Sequence, residues 1–286
     1  MSARAAVFTM LALAAFAANS LLCRAALGAG SIDAASFTAV RLASGAVASI
    51  ALVLVTQRKR EGESGGSLAS AAALFAYAAA FSLAYVRIAT GVGALVLFGC
   101  VQLTMIGWSA WRGARPTAKE AAGVAIAFAG LAVLTLPGAV APDPIGVGSM
   151  ALAGVAWGVY SLRGRGSRSP LRATAANFAL TVPMAALGLL VAWLTSSRWN
   201  LSSRGVVLAA ASGVLASGVG YTVWYAALRE LSATRAAALQ LLVPVLAALS
   251  ATVLLDERIT ARLVVAGALV LGGVATATWW KRPASR

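Results

Sequence analysis

Residues 224–275, WYAALRELSATRAAALQLLVPVLAALSATVLLDERITARLVVAGALVLGGVA, contain the pattern that decides the fold. They consist of the end of one apolar helix, a short charged turn, and two more apolar helices around the turn Asp256-Glu257-Arg258. The helix from about 234 to 255 is long enough to cross a bilayer, since spanning needs roughly 20 apolar residues. The stretch therefore predicts consecutive membrane-spanning helices.

A weaker copy of this pattern lies upstream, in residues 85–134, YVRIATGVGALVLFGCVQLTMIGWSAWRGARPTAKEAAGVAIAFAGLAVL. The turn at 115–117 falls where the turn at 258–260 falls in the second copy, and Gly123 falls roughly where Gly267 falls. A pattern that occurs once in each half of a chain indicates an internal repeat.

Composition points to the same class of protein. The chain has 286 residues, of which 60% are hydrophobic and 11% are charged, and its mean hydropathy is +0.87. A soluble domain has roughly 25% charged residues, so a soluble globular protein is excluded. The apolar runs lack the sustained alternation of barrel strands, which favours helices.

Turn residues divide the chain into ten spans of about 20 residues. We predict them at about 5–27, 35–56, 67–86, 90–111, 118–136, 145–163, 171–195, 205–227, 233–255 and 261–280. The repeats would be residues 1–140 and 141–286, with five spans each. Because five is odd, the two repeats insert in opposite directions, an arrangement common in transporters. The predicted fold is an all-α integral membrane protein with two inverted five-helix repeats.

The net charge of +15 comes from 23 lysines and arginines. In a soluble chain it would suggest nucleic acid as a partner, but in a membrane protein lysine and arginine set the orientation. Most of these residues fall in the loops that share a side with the two termini. We therefore expect an inner-membrane protein with both termini in the cytoplasm and no nucleic-acid partner. The first apolar run continues to Leu27, past the residues 15–17 that resemble a cleavage site, so we expect an uncleaved first span.

The sequence contains few of the residue types that carry out catalysis. There is no histidine, and all eight acidic residues lie in or beside predicted loops. The two cysteines lie in apolar runs and are expected to be small buried hydrophobes. No Ser/His/Asp set, metal cluster or phosphate loop is found, so we expect no enzyme, no cofactor and no metal site.

Arg41 is the one charge placed within a predicted span, a turn or two from its end. One interpretation is structural, with the side chain snorkelling to the membrane surface or pairing with backbone carbonyls. The other is contact with a substrate carboxylate.

Gln102 and Gln240 occupy matching places in the fourth and ninth spans. Pro244 removes the hydrogen bond to the carbonyl of Gln240, which predicts a kink in the ninth span. The two amides indicate either a lined cavity or hydrogen bonds between helices.

Aromatic residues recur on single helix faces and in matching spans. These candidates for the substrate site, together with one amide, are Phe16, Asn19, Tyr77, Phe81, Trp157, Tyr160 and Tyr221. They favour either helix packing or an apolar pocket for an uncharged or zwitterionic ligand with an aromatic or aliphatic body.

Together these features resemble the drug/metabolite transporter superfamily, EamA type. The resemblance rests on the two five-span halves, Arg41 in the second span, residues 240–244 in the ninth, and Asp256-Glu257-Arg258 followed by Gly267. It implies ten helices in two inverted repeats and a central cavity open to one side at a time. The first span, with Asn19, Ser20 and Arg24, is most similar to the YddG-type branch, which exports aromatic amino acids.

The resulting hypothesis is an exporter of amino acids, aromatic ones in particular, whose partners are a small-molecule substrate and membrane lipids and which can act as a monomer. Without a carboxylate at membrane depth, we expect facilitated or exchange transport. Two alternatives stay open: an efflux carrier for other lipophilic or phosphorylated molecules, and a non-transporting membrane scaffold or lipid-binding protein.

Overall fold

The computed structural model describes residues 3–56, 66–113, 117–135, 141–164, 169–195, 199–228, 239–240 and 242–279. Within these residues the chain is helical apart from short turns, and one β-bridge joins Ile32 to Leu201. The helices are α1 (Ala3–Leu27), α2 (Ala34–Thr56), α3 (Leu68–Tyr85), α4 (Thr90–Trp111), α5 (Ala118–Thr135), α6 (Pro144–Gly164), α7 (Pro170–Thr195), α8 (Ser203–Ala211), a π-helical segment (Ser212–Val219), α9 (Gly220–Leu228), α10 (Leu242–Leu254) and α11 (Ala261–Trp279).

The predicted spans agree closely with these helices. Helices α1 to α7 occupy the first seven spans, while α8, the π-helical segment and α9 together form the eighth. Helix α10 covers the second part of the ninth span, whose residues 233–238 and 241 lie outside the described residues. The prediction of an all-α fold is confirmed.

Side-chain caps fix where several helices begin. The hydroxyls of Ser67 and Ser202 and the carboxylate of Asp143 each accept a hydrogen bond from the backbone N–H three residues further on. Such caps satisfy N–H groups that have no partner within the helix. Between α10 and α11, Asp256 adopts the left-handed conformation, with φ of 53°, which ends the span sharply.

The outer surface of the bundle is strongly apolar. Six helices are long and apolar enough to cross a membrane, and four shorter apolar segments lie in the remaining spans. Large side chains such as Val47, Leu54 and Val253 are 64–79% exposed, whereas Asn19, Arg41 and Gln102 are buried. This distribution is opposite to that of a soluble protein and suits contact with lipid.

Packing between helices relates the two halves of the chain. Helix α5 packs along α11, and α2 packs along α7. Helix α1 packs against the eighth span and α10, and α6 packs against the matching partners, α3 and α4. This exchange of partners is what two equivalent five-helix halves produce around a two-fold axis.

In a chain that crosses a membrane repeatedly, every second turn lies on the same face. Such turns meet in the structure at one end of the bundle, which we call the Glu257 end. There Arg24 pairs with Glu257, Arg87 pairs with Asp143, and the Ile32–Leu201 bridge joins two turns. At the opposite end, Arg163 Nε donates to Ser70 Oγ at 3.0 Å, and the backbone N–H of Ser67 donates to Asn177 Oδ1. Polar contacts thus tie the helices together at both ends.

Candidate functional site

A small cavity lies at the centre of the bundle, between α1, α2, α3, α4, α6 and the eighth span. It is lined by Phe16, Asn19, Ser20, Arg41, Tyr77, Phe81, Leu97, Phe98, Trp157, Ala216, Ser217 and Tyr221. Its volume is about 20 Å³. Since a water molecule needs roughly 10–15 Å³ of such space, the cavity has room for no more than one or two waters. The helices are therefore closed against one another at this point.

Among the described lining residues Arg41 alone is charged, and only 2% of it is exposed. Its Nη2 donates to the Tyr77 hydroxyl at 3.1 Å, and its guanidinium carbon lies 5.0 Å from the centre of the Phe81 ring. Its Nε and Nη1 have no hydrogen-bond partner among the residues that the structure describes. The described residues place no carboxylate within ion-pairing distance of it. Arg41 is therefore a buried cation with unsatisfied donors.

The interpretation of Arg41 as a snorkelling side chain is wrong. One turn nearer the start of α2, Thr38 is also buried, and its hydroxyl donates to Ser82 of α3 at 2.8 Å. The beginning of α2 is thus covered by neighbouring helices, so the guanidinium has no short route to the surface. Pairing of Nε or Nη1 with a backbone carbonyl is not observed either.

Hydrogen bonds connect Arg41 to the eighth span. The Tyr77 hydroxyl accepts from Arg41 and also, at 3.4 Å, from Asn19 Nδ2. Asn19 Oδ1 in turn accepts from the Ser212 hydroxyl at 2.7 Å. All four side chains are buried. This relay fixes the phenol of Tyr77 so that its oxygen faces the cation.

Aromatic rings form the walls around this relay. Trp157 of α6 lies 4.9 Å from Tyr77 and 5.0 Å from Tyr221, measured between ring centres. Tyr77 also packs against Phe81 at 5.4 Å, and Phe16 packs against Tyr221 at 6.1 Å. These separations lie in the range of favourable aromatic contacts. Rings from four spans therefore surround one cation.

The eighth span is π-helical where it passes the cavity, from Ser212 to Val219. A Cβ added at Gly213 would meet the backbone carbonyl of Arg41 and the Ser44 hydroxyl. Only a residue without a side chain allows α2 to approach so closely. The sequence does not predict this π-helical segment, because a run of small residues is equally typical of ordinary helix packing. Short π-helical segments are frequent at functional sites.

The structure brings seven of the predicted site residues together in the cavity lining: Phe16, Asn19, Arg41, Tyr77, Phe81, Trp157 and Tyr221. Tyr160 is buried behind them, with its ring 5.5 Å from Trp157. Gln102 is buried one turn beyond Phe98, outside the lining, and its Nε2 has no partner.

Gln240, which is half-buried, also lies outside the lining, and Pro244 is buried in the first turn of α10. The kink predicted at Pro244 also depends on residues before Leu239, which lie outside the described residues.

Sequence reasoning missed five lining residues: Ser20, Leu97, Phe98, Ala216 and Ser217. Phe98 could have been found, since it lies one turn from Gln102 on the same face of α4. Ser217 could not, because nothing distinguishes it from the other small residues of the eighth span.

Glu257 joins four elements at its end of the bundle. Its carboxylate accepts from Arg24 Nε at 3.3 Å, from the Thr90 backbone N–H at 2.7 Å and from the Thr90 hydroxyl at 3.1 Å. Arg24 Nη1 also donates to the carbonyl of Tyr85 at 2.9 Å. One carboxylate thus links the ends of α1 and α3 to the start of α4 and to the turn before α11.

Ten apolar helical spans around an enclosed site, with one buried cation among aromatic rings, define a multi-pass membrane protein. Residues 144–279 match the EamA-like transporter family. An uncharacterized protein of Pseudomonas aeruginosa is 49% identical over 272 residues, which cover 95% of this chain and 93% of that protein. A crystal structure with 22% sequence identity aligns over 98% of both chains with a TM-score of 0.65, which shows the same fold. Residues 144–279 therefore form an EamA-like transporter domain, which supports a membrane transporter of the drug/metabolite transporter superfamily.

Proposed function

We propose that this transporter exports amino acids, aromatic ones (tryptophan, phenylalanine, tyrosine) and related small metabolites in particular, as the YddG-type branch does. The two repeats, residues 1–140 and 141–286, rock against each other and expose the central cavity to one side of the inner membrane at a time. The distribution of lysine and arginine supports cytoplasmic termini.

The observation that carries this proposal is the unsatisfied guanidinium of Arg41 in the cavity wall. A buried cation without a carboxylate partner is destabilising by several kcal/mol, so it is retained where something else supplies the anion. A substrate carboxylate can accept from Nε and Nη1 in the two parallel hydrogen bonds that arginine favours. Arg41 therefore selects cargo with a carboxylate.

The aromatic walls suit the remainder of such a cargo. Trp157, Tyr77 and Tyr221 offer ring faces to an aromatic side chain. The same faces attract an ammonium group through cation–π contact, and the oxygen of Asn19 can accept its hydrogen bonds. The described lining contains no carboxylate. Without a titratable acid in the cavity, the proposed mode of transport is facilitated or exchange rather than obligatorily proton-coupled.

The cavity must open before it can bind this cargo. Its volume of about 20 Å³ is far below that of an amino acid. At the Glu257 end, the hydrogen bonds of Glu257 to Arg24 and Thr90 hold the helices together. In this proposal those bonds break when the site opens toward that end and form again when it closes.

The other candidates fit the cavity less well. A phosphorylated cargo carries about two negative charges and calls for several cations, whereas the described lining offers Arg41 alone. An uncharged lipophilic cargo, or a scaffold without cargo, would leave the buried guanidinium unpaired.

A counterflow assay tests the proposal. Proteoliposomes loaded with unlabelled L-phenylalanine should take up labelled L-phenylalanine, and Arg41→Gln should reduce the initial rate at least ten-fold. Arg204→Gln is the matched control, because Arg204 is an exposed arginine at the start of α8, outside the cavity lining. Unchanged uptake by Arg41→Gln would overturn the role of Arg41. Failure of the wild type to move any amino acid in a panel would overturn the class of cargo.

A further inference from the structure

Gln102 of α4 provides a second unsatisfied donor near the centre of the bundle. Within the described part of the chain, three buried side-chain nitrogens lack a hydrogen-bond partner, namely Nε and Nη1 of Arg41 and Nε2 of Gln102. Only 2% of Gln102 is exposed, so bulk water does not reach its Nε2. A buried donor without a partner is destabilising. Packing within the protein therefore does not account for a glutamine at this position.

Contacts between α4 and α6 fix the level of Gln102 in the bundle. Both helices begin at the Glu257 end, and a Cβ added at Gly158 would lie 2.9 Å from the Cβ of Thr104. Trp157 directly precedes Gly158 in α6. Gln102 lies two residues before Thr104 in α4, and hence close to the level of Trp157. The amide is therefore level with an aromatic wall of the central cavity, although it lies outside the lining of the closed cavity.

The two groups of unsatisfied donors are separated along the axis of the bundle. Helices α2 and α4 both begin at the Glu257 end, and Arg41 is the eighth residue of α2 whereas Gln102 is the thirteenth residue of α4. At 1.5 Å per residue, Gln102 lies about 8 Å further from that end than Arg41. Tyr77 connects the two levels, since its hydroxyl binds Arg41 and its ring centre lies 4.9 Å from that of Trp157.

One molecule can satisfy both groups of donors if it carries an oxygen acceptor at each end of an apolar body. Its carboxylate binds Arg41, on the side of a larger cavity of about 260 Å³ that opens at the Glu257 end. Its far end points away from that larger cavity and meets the amide of Gln102. Tyrosine has this form, since its phenol oxygen accepts hydrogen bonds and lies across the ring from the carboxylate. Phenylalanine would leave Nε2 unpaired.

We infer that Gln102 determines which aromatic cargo the transporter prefers, favouring tyrosine and other 4-hydroxyphenyl acids over phenylalanine. When the central cavity enlarges to admit cargo, Gln102 becomes part of its wall, and Nε2 donates to the phenol oxygen. A site that provides a hydrogen bond to a cargo oxygen discriminates against the analogue that lacks this oxygen. The inference rests on the proposed function for the carboxylate at Arg41, and it adds a preference among the proposed cargoes.

Counterflow of tyrosine and phenylalanine in proteoliposomes tests this preference. In the wild type, the half-saturating concentration of L-tyrosine should be at least ten-fold lower than that of L-phenylalanine. 4-Methyl-L-phenylalanine carries a methyl group where tyrosine has its hydroxyl, so it fills similar space without an acceptor. It should behave like phenylalanine.

Gln102→Met removes the donor and keeps nearly the same side-chain length. The variant should raise the half-saturating concentration of L-tyrosine at least ten-fold and change that of L-phenylalanine less than two-fold. Without cargo its thermal midpoint should not fall, because the group removed has no partner to lose. Thr104→Val is the matched control on the same helix, because the Thr104 hydroxyl donates to the carbonyl of Cys100 at 2.7 Å. The control should keep the preference for tyrosine.

The outcomes separate this inference from the proposed function. If the wild type transports both amino acids without preference, or if Gln102→Met keeps the preference, the inference is overturned while the proposed function stands. If Gln102→Met lowers the thermal midpoint and slows both amino acids equally, the role of Gln102 is structural and the inference is again overturned. If the wild type transports no amino acid, the proposed function fails and this inference fails with it.

Discussion

The central cavity and the cavity at the Glu257 end differ in size and in the pairing of their charges. The central one has about 20 Å³, and among the described residues its cation, Arg41, has no hydrogen-bond partner for Nε or Nη1. The other has about 260 Å³, and its two carboxylates are both in ion pairs. Charges at the end of the bundle can exchange partners with water at little cost, whereas a buried guanidinium cannot. In the proposed function, the end of the bundle opens and closes, while the centre recognises cargo.

The largest effect is expected where the centre has no space at all. Gly213→Leu would drive a side chain into the carbonyl of Arg41, which is backbone and cannot move aside. We expect a loss of about 3 kcal/mol or more, or failure to fold. Thermal denaturation and size-exclusion chromatography of the purified variant measure this. Gly267→Leu is the matched control, because nothing lies within 4 Å of a Cβ at that position. If the two variants have the same thermal midpoint and elution profile, close packing at Gly213 does not limit the stability of the fold.

Removal of the Tyr77 hydroxyl should have the second largest effect on stability. Tyr77→Phe leaves Arg41 Nη2 and Asn19 Nδ2 without the acceptor they share. A buried polar group without a partner is destabilising by about 1–3 kcal/mol, so the thermal midpoint should fall. Counterflow of L-phenylalanine should also slow, because the cation is no longer held in place.

Tyr85→Phe provides the comparison for Tyr77. The Tyr85 hydroxyl donates to the Thr90 carbonyl at 3.4 Å, a long bond, and it is not the acceptor for a buried cation as Tyr77 is, so its loss should affect stability less. An equal or larger loss in Tyr85→Phe would show that the relay around Arg41 has no special role.

A change at Glu257 should affect access to the central cavity more than it affects the stability of the protein. Glu257→Gln removes the ion pair with Arg24, whose side chain is 25% exposed, but keeps an oxygen that can accept from Thr90. We expect a stability loss of about 1 kcal/mol and an increased population of states open at this end.

Labelling of Ser217→Cys, in the central cavity lining, with a membrane-impermeant thiol reagent measures that population. The rate should rise several-fold when Glu257→Gln is added. The chain without Ser217→Cys corrects for the two native cysteines, Cys23 and Cys100. If Glu257→Gln leaves the labelling rate unchanged, the Glu257 network does not hold this end closed.

The helices and most of the residues that line the central cavity could be predicted from the sequence, because they are marked by local properties of the chain. Apolar length and turn residues place the spans, and a charge such as Arg41 stands out against them. Arg41 lies about two turns into α2, as expected, but its burial could not be predicted, because its cover comes from α3, a tertiary contact. Gln102 and Gln240 were expected to share the cavity, but which helix face turns inward depends on packing between spans. The π-helical Ser212–Val219 has no local signature, since close approach to α2 is what demands small residues there.

The smallest effect is expected at the other ion pair of the Glu257 end. Arg87 and Asp143 are 3.6 Å apart, and their side chains are 46% and 35% exposed, so the pair should contribute less than about 1 kcal/mol. Asp143 also caps α6 through Gly146, a role that asparagine performs as well. Asp143→Asn should therefore change the thermal midpoint and Ser217→Cys labelling very little, while Asp143→Ala should lower stability by about 1 kcal/mol through loss of the cap. If Asp143→Asn instead opened the end as far as Glu257→Gln does, closure would depend on the net charge of this end and not on the hydrogen bonds of Glu257.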